Sequence, residues 1–164
     1  MSGSPRRRGA PGAAAVLMPL LAPLLTLATP ASAEPTASPA EQAISKALTE
    51  WKLAFNAGDT GAVCGLFAPE LRYDYRGFPE RGFEEVCHLL QGSLADRTRK
   101  FSYDLAIKEI IVSGDLAMVR LMWTLTVKRP GQVGGTSTTE PGLDIFRRQG
   151  DGSWKIVRYI AYEE

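Results

Sequence analysis

Histidine and cysteine are scarce in this sequence. Its 164 residues include one histidine, His88, and two cysteines, Cys64 and Cys87. A zinc site takes three or four ligands, mostly from these residue types, so we expect no metal site. A glycine-rich phosphate loop and a G-x-S-x-G nucleophile elbow are also missing, because the glycines of GQVGG follow a strand pattern and open no helix. These absences argue against metal, nucleotide and serine-hydrolase chemistry, and we expect no cofactor.

An apolar run long enough to cross a membrane is missing as well. Residues 1–33 contain three consecutive arginines, an apolar stretch interrupted by Pro19 and Pro23, and an A-x-A sequence that ends at Ala33. A bilayer span needs roughly 20 apolar residues, so a membrane anchor fits less well than a cleaved signal peptide. We predict cleavage after Ala33 and a periplasmic or secreted protein. The export route, general secretory or twin-arginine, stays open.

Neither sign of charge dominates the chain, which has 19 basic and 18 acidic residues. The predicted signal peptide takes three arginines and no acid, so the mature chain keeps 16 basic residues beside the 18 acidic ones. Binding to nucleic acid requires a clustered basic surface, and no such cluster is visible. We expect neither a nucleic-acid partner nor, after cleavage, a membrane.

The two cysteines gain importance from the predicted export. An oxidising compartment favours a disulfide between Cys64 and Cys87. The alternative is two buried, unpaired thiols that pack as small apolar groups. The sequence favours the disulfide.

The predicted organisation is a signal peptide at 1–33, a flexible linker at 34–40 and one domain at 41–164. Apolar residues recur at helical spacing from Glu41, with Ser38 as a candidate cap, and the helix ends at Gly58. A second, short helix is predicted between a cap at Asp59 or Thr60 and a stop at Pro69. A third helix is predicted over 83–96.

The rest of the domain has the two-residue period of β-strands. A short strand is predicted at 71–75, and four long strands follow at 101–115, 116–129, 143–149 and 154–164, with a glycine-rich loop at 130–142. The fold class is therefore α+β, with three N-terminal helices on one face of a mostly antiparallel sheet.

Three segments carry a resemblance to a known family: WKLAFNAGDTGAVCGLFAPELRYD, VSGDLAMVRLMWTLTV and DIFRRQGDGSWKIVRYIAY. They resemble the nuclear-transport-factor-2-like (NTF2-like) fold in its SnoaL-like, ketosteroid-isomerase-like branch, over about residues 41–162. The resemblance implies a curved sheet that wraps around the helices as a cone. It also implies a pocket for a small apolar molecule at the open end and a homodimer formed through the outer face of the sheet.

The resemblance also suggests site residues. Steroid isomerases of this superfamily use a helix tyrosine, a protonated late-strand aspartic acid and a carboxylate base. These positions fall here on Trp51, Asp144 and Tyr75, with Asp74 one residue before the last. Strand alternation turns Asp74 outward unless a bulge rotates it. Asp144 either faces the pocket or pairs on the outside with an arginine, Arg147 or Arg158. The aromatic residues expected in the pocket are Trp51, Phe55, Tyr73, Phe78 and Trp123.

Two functions remain open at this point. The first is an exported, non-catalytic domain that binds an apolar ligand, which fits the missing helix tyrosine and the displaced base. The alternative is an isomerase, cyclase or hydratase in which Asp144 performs acid–base chemistry. Trp51 would then be a secondary hydrogen-bond donor, and Tyr75 or Asp74 would handle the proton.

Overall fold

The computed structural model describes residues 36–131 and 133–164. The predicted signal peptide and the first residues of the predicted linker lie outside the described residues. The described elements are two helices and six strands that form one sheet. They are α1 (Pro39–Ala57), β1 (Phe67–Tyr75), β2 (Arg81–Gly82), α2 (Phe83–Ala95), β3 (Lys100–Ser113), β4 (Leu116–Lys128), β5 (Thr136–Arg148) and β6 (Trp154–Ala161).

Helix α1 begins and ends as the sequence predicts. The Ser38 side chain accepts a hydrogen bond from the Glu41 N–H, and the Glu41 carboxylate accepts one from the Ser38 N–H, which completes a capping box. Gly58 ends the helix in the left-handed region, at a φ of 76°. One face of α1 packs into the core through Ile44, Leu48, Trp51 and Phe55.

The second of the three predicted helices is wrong, because residues 60–66 form turns. Asp59 caps the first turn by accepting from the Gly61 and Ala62 N–H groups, but no helix follows. Two glycines, Gly61 and Gly65, disfavour a helix by about 1 kcal/mol each. The chain instead enters β1 at Phe67, earlier than predicted, and Pro69 lies within that strand.

The predicted third helix is therefore the second helix of the structure, α2. Cys87 on α2 forms a disulfide with Cys64 in the preceding turns, with the two α-carbons 5.4 Å apart. The disulfide prediction is confirmed, although only one of the two cysteines lies on a helix. Neither α1 nor α2 has the length and apolar character of a transmembrane span, and no other helix occurs among residues 36–131 and 133–164.

The sheet has the strand order β2-β1-β6-β5-β4-β3. Its neighbours are antiparallel except β1 and β6, which are parallel, so the sheet is mixed. Strand β5 begins at Thr136, so the predicted loop at 130–142 is too long and its second half belongs to the sheet. Residues 116–127 of β4 pair with β5 along its length. This pairing makes β5 longer than its threonine, proline and glycine content suggests.

The inner face of the sheet builds the core and the wall of a cavity. On β5 the alternate residues Glu140, Gly142, Asp144 and Phe146 are buried. On β4 the alternate residues Ala117, Val119, Leu121 and Trp123 are buried. The register places Asp144 opposite Val119 and Glu140 opposite Trp123. Both acids therefore point to the same side as the hydrophobic core.

Candidate functional site

A cavity of about 120 Å³ lies between helix α2, the residues around the start of β1 and the inner face of the sheet. Apolar and aromatic side chains form most of its wall, with two acids and one arginine among them. The lining residues are Trp51, Leu66, Phe67, Leu71, Tyr73, Arg81, Val86, Leu89, Leu90, Tyr103, Trp123, Glu140, Asp144, Ile156 and Tyr159.

Asp144 lies on this wall and is completely buried. Neither carboxyl oxygen has a hydrogen-bond partner. Burial raises the pKa of Asp144 well above its usual range, because an ionised carboxylate loses its hydration there. Burial therefore favours the protonated form of the side chain, which carries one O–H hydrogen-bond donor.

The outward ion pair considered for Asp144 does not form. Arg147 pairs with the Glu70 carboxylate at 3.3 Å, and Arg158 donates to the backbone oxygens of Glu70 and Val157. Alternation along β5 turns Arg147 outward and Asp144 inward, and alternation along β6 turns Arg158 outward.

Two tyrosine rings continue the wall from Asp144 across the sheet. Tyr159 on β6 is the register partner of Asp144, and Tyr73 on β1 is the register partner of Tyr159. The two rings stack with centroids 4.8 Å apart and planes 8° from parallel. Burial raises the pKa of Tyr159 well above its usual range, so it stays a neutral phenol.

Glu140 is a cavity residue that the sequence analysis missed. Its side chain is 5% exposed and lies two inward positions from Asp144 on the same strand. Burial and, to a smaller extent, the negative charge of Glu163 raise the pKa of Glu140 to about 7. The sequence analysis missed Glu140 because it assigned residues 130–142 to a loop. Glu140 lies four residues before Asp144, and strand alternation over that spacing would have placed both side chains on the same face.

Gly142 separates the two acids on the wall. A Cβ atom at this position would lie 3.0 Å from Leu121 Cδ1 and 3.1 Å from Tyr159 Cε2. The missing side chain therefore lets the Tyr159 ring pack against β5 between Glu140 and Asp144.

Three of the five aromatic residues predicted for the pocket line the cavity: Trp51, Tyr73 and Trp123. The donor role predicted for Trp51 is wrong, because its indole N–H already donates to the Val63 carbonyl at 2.7 Å. That bond holds the turn after α1, so the indole contributes its ring and not its N–H to the cavity.

The other two predicted aromatic residues do not line the cavity. Phe55 is 2% exposed and packs behind the wall, against the rings of Trp51 and Tyr103. Phe78 is 56% exposed in the turn after β1, where the Arg81 guanidinium lies 4.8 Å from its ring centroid. The spacing of aromatic residues in the sequence could not distinguish a residue that lines the cavity from one that packs behind the lining residues.

The two candidates for the proton-handling residue also lie outside the cavity lining. Asp74 is exposed on the outer side of β1, as its alternation indicates, and no bulge turns it inward. Tyr75 follows Tyr73 on the inner side, but it contacts Phe78 and interacts with Glu163. Within the described residues, no three acidic, histidine or cysteine side chains converge as metal ligands would.

The mixed, curved sheet with helices on one face and a cavity between them defines an α+β domain of the NTF2-like class. Residues 48–159 match the SnoaL-like domain family, and the chain belongs to this family. No curated protein sequence matches the chain.

Many solved structures have this fold, and three of them are described here. A ketosteroid isomerase-like protein from Erwinia carotovora atroseptica is 25% identical with a TM-score of 0.61, over 74% of this chain and 94% of that one. A protein from Novosphingobium aromaticivorans, proposed to be a scytalone dehydratase, is 19% identical with a TM-score of 0.64, over 75% and 83%. A proposed NTF2-like dehydratase from Streptomyces avermitilis is 21% identical with a TM-score of 0.62, over 75% and 94%.

Proposed function

We propose that this SnoaL-like domain binds a small, largely apolar molecule that carries a hydrogen-bond acceptor, such as a carbonyl oxygen. The observation that carries the proposal is the Asp144 carboxyl group, which is buried in a cavity wall without any hydrogen-bond partner. An unsatisfied buried polar group costs about 1–3 kcal/mol. A ligand oxygen that accepts from this carboxyl group removes that cost and gains binding free energy.

The size and lining of the cavity support the same ligand class. One water molecule needs roughly 10–15 Å³ of space of this kind. A cavity of about 120 Å³ therefore has room for a ligand of one or two rings. Faces and edges of Trp51, Trp123 and Tyr103 are available to pack against such rings.

The binding test uses the two indoles of the wall as reporters. Quenching of Trp51 and Trp123 fluorescence is measured with a library of cyclic ketones and with the matching hydrocarbons. We expect the ketones to bind more tightly, because only they accept from Asp144. Asp144→Leu removes the donor and should weaken ketone binding about 10-fold or more, whereas Asp144→Asn retains an N–H donor and should weaken it less. Exposed Asp74→Asn is the matched control.

Two results would contradict the binding proposal. One is that no ketone or hydrocarbon binds to the folded protein. The other is that Asp144→Leu binds ketones as tightly as the unchanged chain, which would mean that the carboxyl group takes no part in recognition.

We also propose that the domain acts outside the cytoplasm. Support comes from the signal-peptide pattern of residues 1–33 and from the Cys64–Cys87 disulfide, which is compatible with an oxidising compartment. Expression of the full chain in a bacterial host, followed by fractionation and mass measurement, tests this. A mature chain that begins at Glu34 outside the cytoplasm is expected, and an uncleaved cytoplasmic chain would contradict it.

A homodimer through the outer face of the sheet is part of the proposal. Apolar side chains alternate with the buried ones along β4 and β5, and Ile160 on β6 is 54% exposed. The same face carries the Glu109–Arg120 ion pair, so a second copy related by twofold symmetry can meet opposite charges. Light scattering should give twice the monomer mass, and Ile160→Lys should shift it towards the monomer. A monomer mass for the unchanged chain would contradict this.

A second candidate function is acid–base catalysis of the isomerase or dehydratase type. It is favoured by the neutral acid in an apolar cavity, which can stabilise negative charge on a carbonyl oxygen as a reaction proceeds. The names given to the three similar structures, a ketosteroid isomerase-like protein and two proposed dehydratases, point in the same direction. Equal turnover by the unchanged chain and Asp144→Asn would remove Asp144 from such a reaction.

A further inference from the structure

One positively charged side chain lies on the cavity wall, and it has no role in the binding proposed above. It is Arg81, on the short edge strand β2. Within residues 36–131 and 133–164, no carboxylate forms an ion pair with Arg81. Its neighbour in the sequence, Glu80, is already paired with Arg72 at 3.4 Å. The cavity wall therefore carries a cation without an anionic partner.

The sheet register places Arg81 in the same row as Asp144. Arg81 is the register partner of Tyr73 on β1. Tyr73 pairs in turn with Tyr159, and Tyr159 with Asp144. Neighbouring strands are about 4.8 Å apart, so three strand spacings place the two outer α-carbons of this row within roughly 15 Å of each other. All four side chains line the cavity, with the cation at the edge of the sheet.

Arg81 lies at the entrance of the cavity. Leu89 on α2, also a lining residue, is 46% exposed, and Arg81 is half-buried, whereas Asp144 is completely buried. Lining side chains that reach solvent mark the opening, so β2 and α2 form part of its rim. A charged group of a ligand loses least hydration at the rim, and an apolar group gains most in the interior.

The contacts of the Arg81 guanidinium leave its N–H groups free. The guanidinium lies over the ring of Phe78, 4.8 Å from the ring centroid, and a cation–π contact uses no hydrogen-bond donor. None of the hydrogen bonds donated by arginine side chains in the described part of the chain comes from Arg81. Burial raises the pKa of the Tyr73 phenol, and the positive charge of Arg81 acts against this rise, so the guanidinium is close to the wall.

We propose that Arg81 is a specificity-determining residue of the cavity, and that the ligand is an apolar cyclic molecule with a carboxylate group that binds the Arg81 guanidinium at the entrance. This inference rests on the proposed function, because it places the ring of the ligand in the same cavity. It adds an acidic group to the ligand and gives the bound ligand a direction, with the carboxylate at the rim and the ring inside.

The chemistry of the entrance favours a carboxylate over a larger anion. The two oxygens of a carboxylate match two N–H groups of a guanidinium in one plane. Arg81 is the one cation among the described lining residues, so it balances a single negative charge and not a phosphate dianion. Glu140, on the same wall, has a pKa of about 7 and repels additional negative charge once it is ionised.

The test compares three probes by isothermal titration calorimetry. They are a cyclohexanone that carries a carboxylate opposite the ketone, the amide of this keto acid, and cyclohexanecarboxylate, which has no ketone. The measurement is made at pH 6, where a ligand carboxylate is ionised and Glu140, with its pKa of about 7, is mostly protonated. We expect the keto acid to bind about 10-fold or more tightly than its amide, because only the acid forms charge-assisted hydrogen bonds.

Variants of two arginines assign this preference to one side chain. Arg81→Gln should remove the preference for the acid and leave the affinity for the amide unchanged, which also shows that the cavity is intact. Arg81→Lys keeps the charge without the planar pair of donors and should retain part of the preference. Arg72→Gln is the matched control, since it removes the same charge from an exposed side chain on the outer side of β1.

The outcomes separate this inference from the proposed function. If the amide binds as tightly as the keto acid, this inference fails and the proposed function stands. A preference for the acid that Arg81→Gln retains also overturns the inference. If cyclohexanecarboxylate binds as tightly as the keto acid and its binding depends on Arg81, the inference stands and the ketone contact with Asp144 fails. Absence of binding by all three probes contradicts both.

Discussion

Tyr159 on β6 pairs in register with Asp144 on β5, and its ring stacks on the ring of Tyr73. This arrangement places two large aromatic side chains beside a carboxyl group that has no protein partner. The stack closes one side of the cavity, so the shape of the site depends on ring packing between β1 and β6, which are far apart in the sequence.

Removal of the Tyr159 ring should therefore destabilise the domain. We expect Tyr159→Ala to lower the free energy of unfolding by about 3 kcal/mol, because a large ring leaves the core. Tyr159→Phe keeps the ring and should cost less than about 1 kcal/mol. Urea denaturation followed by circular dichroism measures both. Equal losses in the two variants would mean that the hydroxyl group, and not the ring, matters.

A side chain at position 142 should be poorly tolerated. The Cβ of Gly142→Ala would come within 3.1 Å of both Leu121 and Tyr159, so these side chains must move. We expect a loss of about 1–3 kcal/mol of stability and weaker ligand binding. Gly150→Ala is the control, since a Cβ there meets nothing within 4 Å. Similar stability of the two variants would contradict the close packing of Tyr159 on β5.

The disulfide should contribute to stability. Cys64 and Cys87 are 23 residues apart in sequence, and closing a loop of this length stabilises by about 3 kcal/mol in the chain-entropy model. The double variant Cys64→Ser, Cys87→Ser should unfold at correspondingly lower urea, and dithiothreitol should have a comparable effect on the unchanged chain. A midpoint that is insensitive to dithiothreitol would indicate that the bond does not form or does not stabilise.

Stability should fall as pH rises above the acidic range. Folding raises the pKa of Asp144 and of Glu140, so the folded state keeps protons that the unfolded state releases from about pH 4 upward. The free energy of unfolding therefore decreases from about pH 4 to 7 for Glu140, and the raised pKa of Asp144 adds a decrease of the same sign.

Urea unfolding at pH 5 and pH 8 measures this effect. The decrease in the free energy of unfolding from pH 5 to pH 8 should be smaller in Asp144→Asn and in Glu140→Gln. It should be unchanged in Asp74→Asn, because the Asp74 side chain is exposed. If Asp144→Asn keeps the full decrease, the buried carboxyl group is not the group that titrates.

Much of the fold could be predicted from local pattern. The capping box at Ser38 and Glu41 and the left-handed Gly58 bound α1 because they act within one turn of the chain. The short second helix was predicted wrongly because apolar spacing alone ignored the helix penalty of Gly61 and Gly65. It also ignored the pairing of this segment with β6, where the Ile156 N–H donates to the Leu66 carbonyl.

The candidate site was predicted only in part. Asp144 could be found because an acid inside an apolar strand is conspicuous, and alternation correctly turned Asp74 outward. Glu140 was missed because its Thr-, Pro- and Gly-containing surroundings are typical of a loop, and pairing with β4 overrides that preference. The Trp51 N–H was assigned to a ligand because sequence cannot show that the Val63 carbonyl already accepts from it.

The sequence by itself determined the elements whose signals are local: the boundaries of α1, the period-two strands, the α+β class and the resemblance to the SnoaL-like family. Only the tertiary structure decided which side chains meet around the cavity. It brought Glu140, Asp144, Tyr73 and Tyr159 from three strands to one wall, and it placed Phe55 behind that wall. The physical reason is that strand register and sheet curvature depend on contacts between residues far apart in the chain, which no local pattern records.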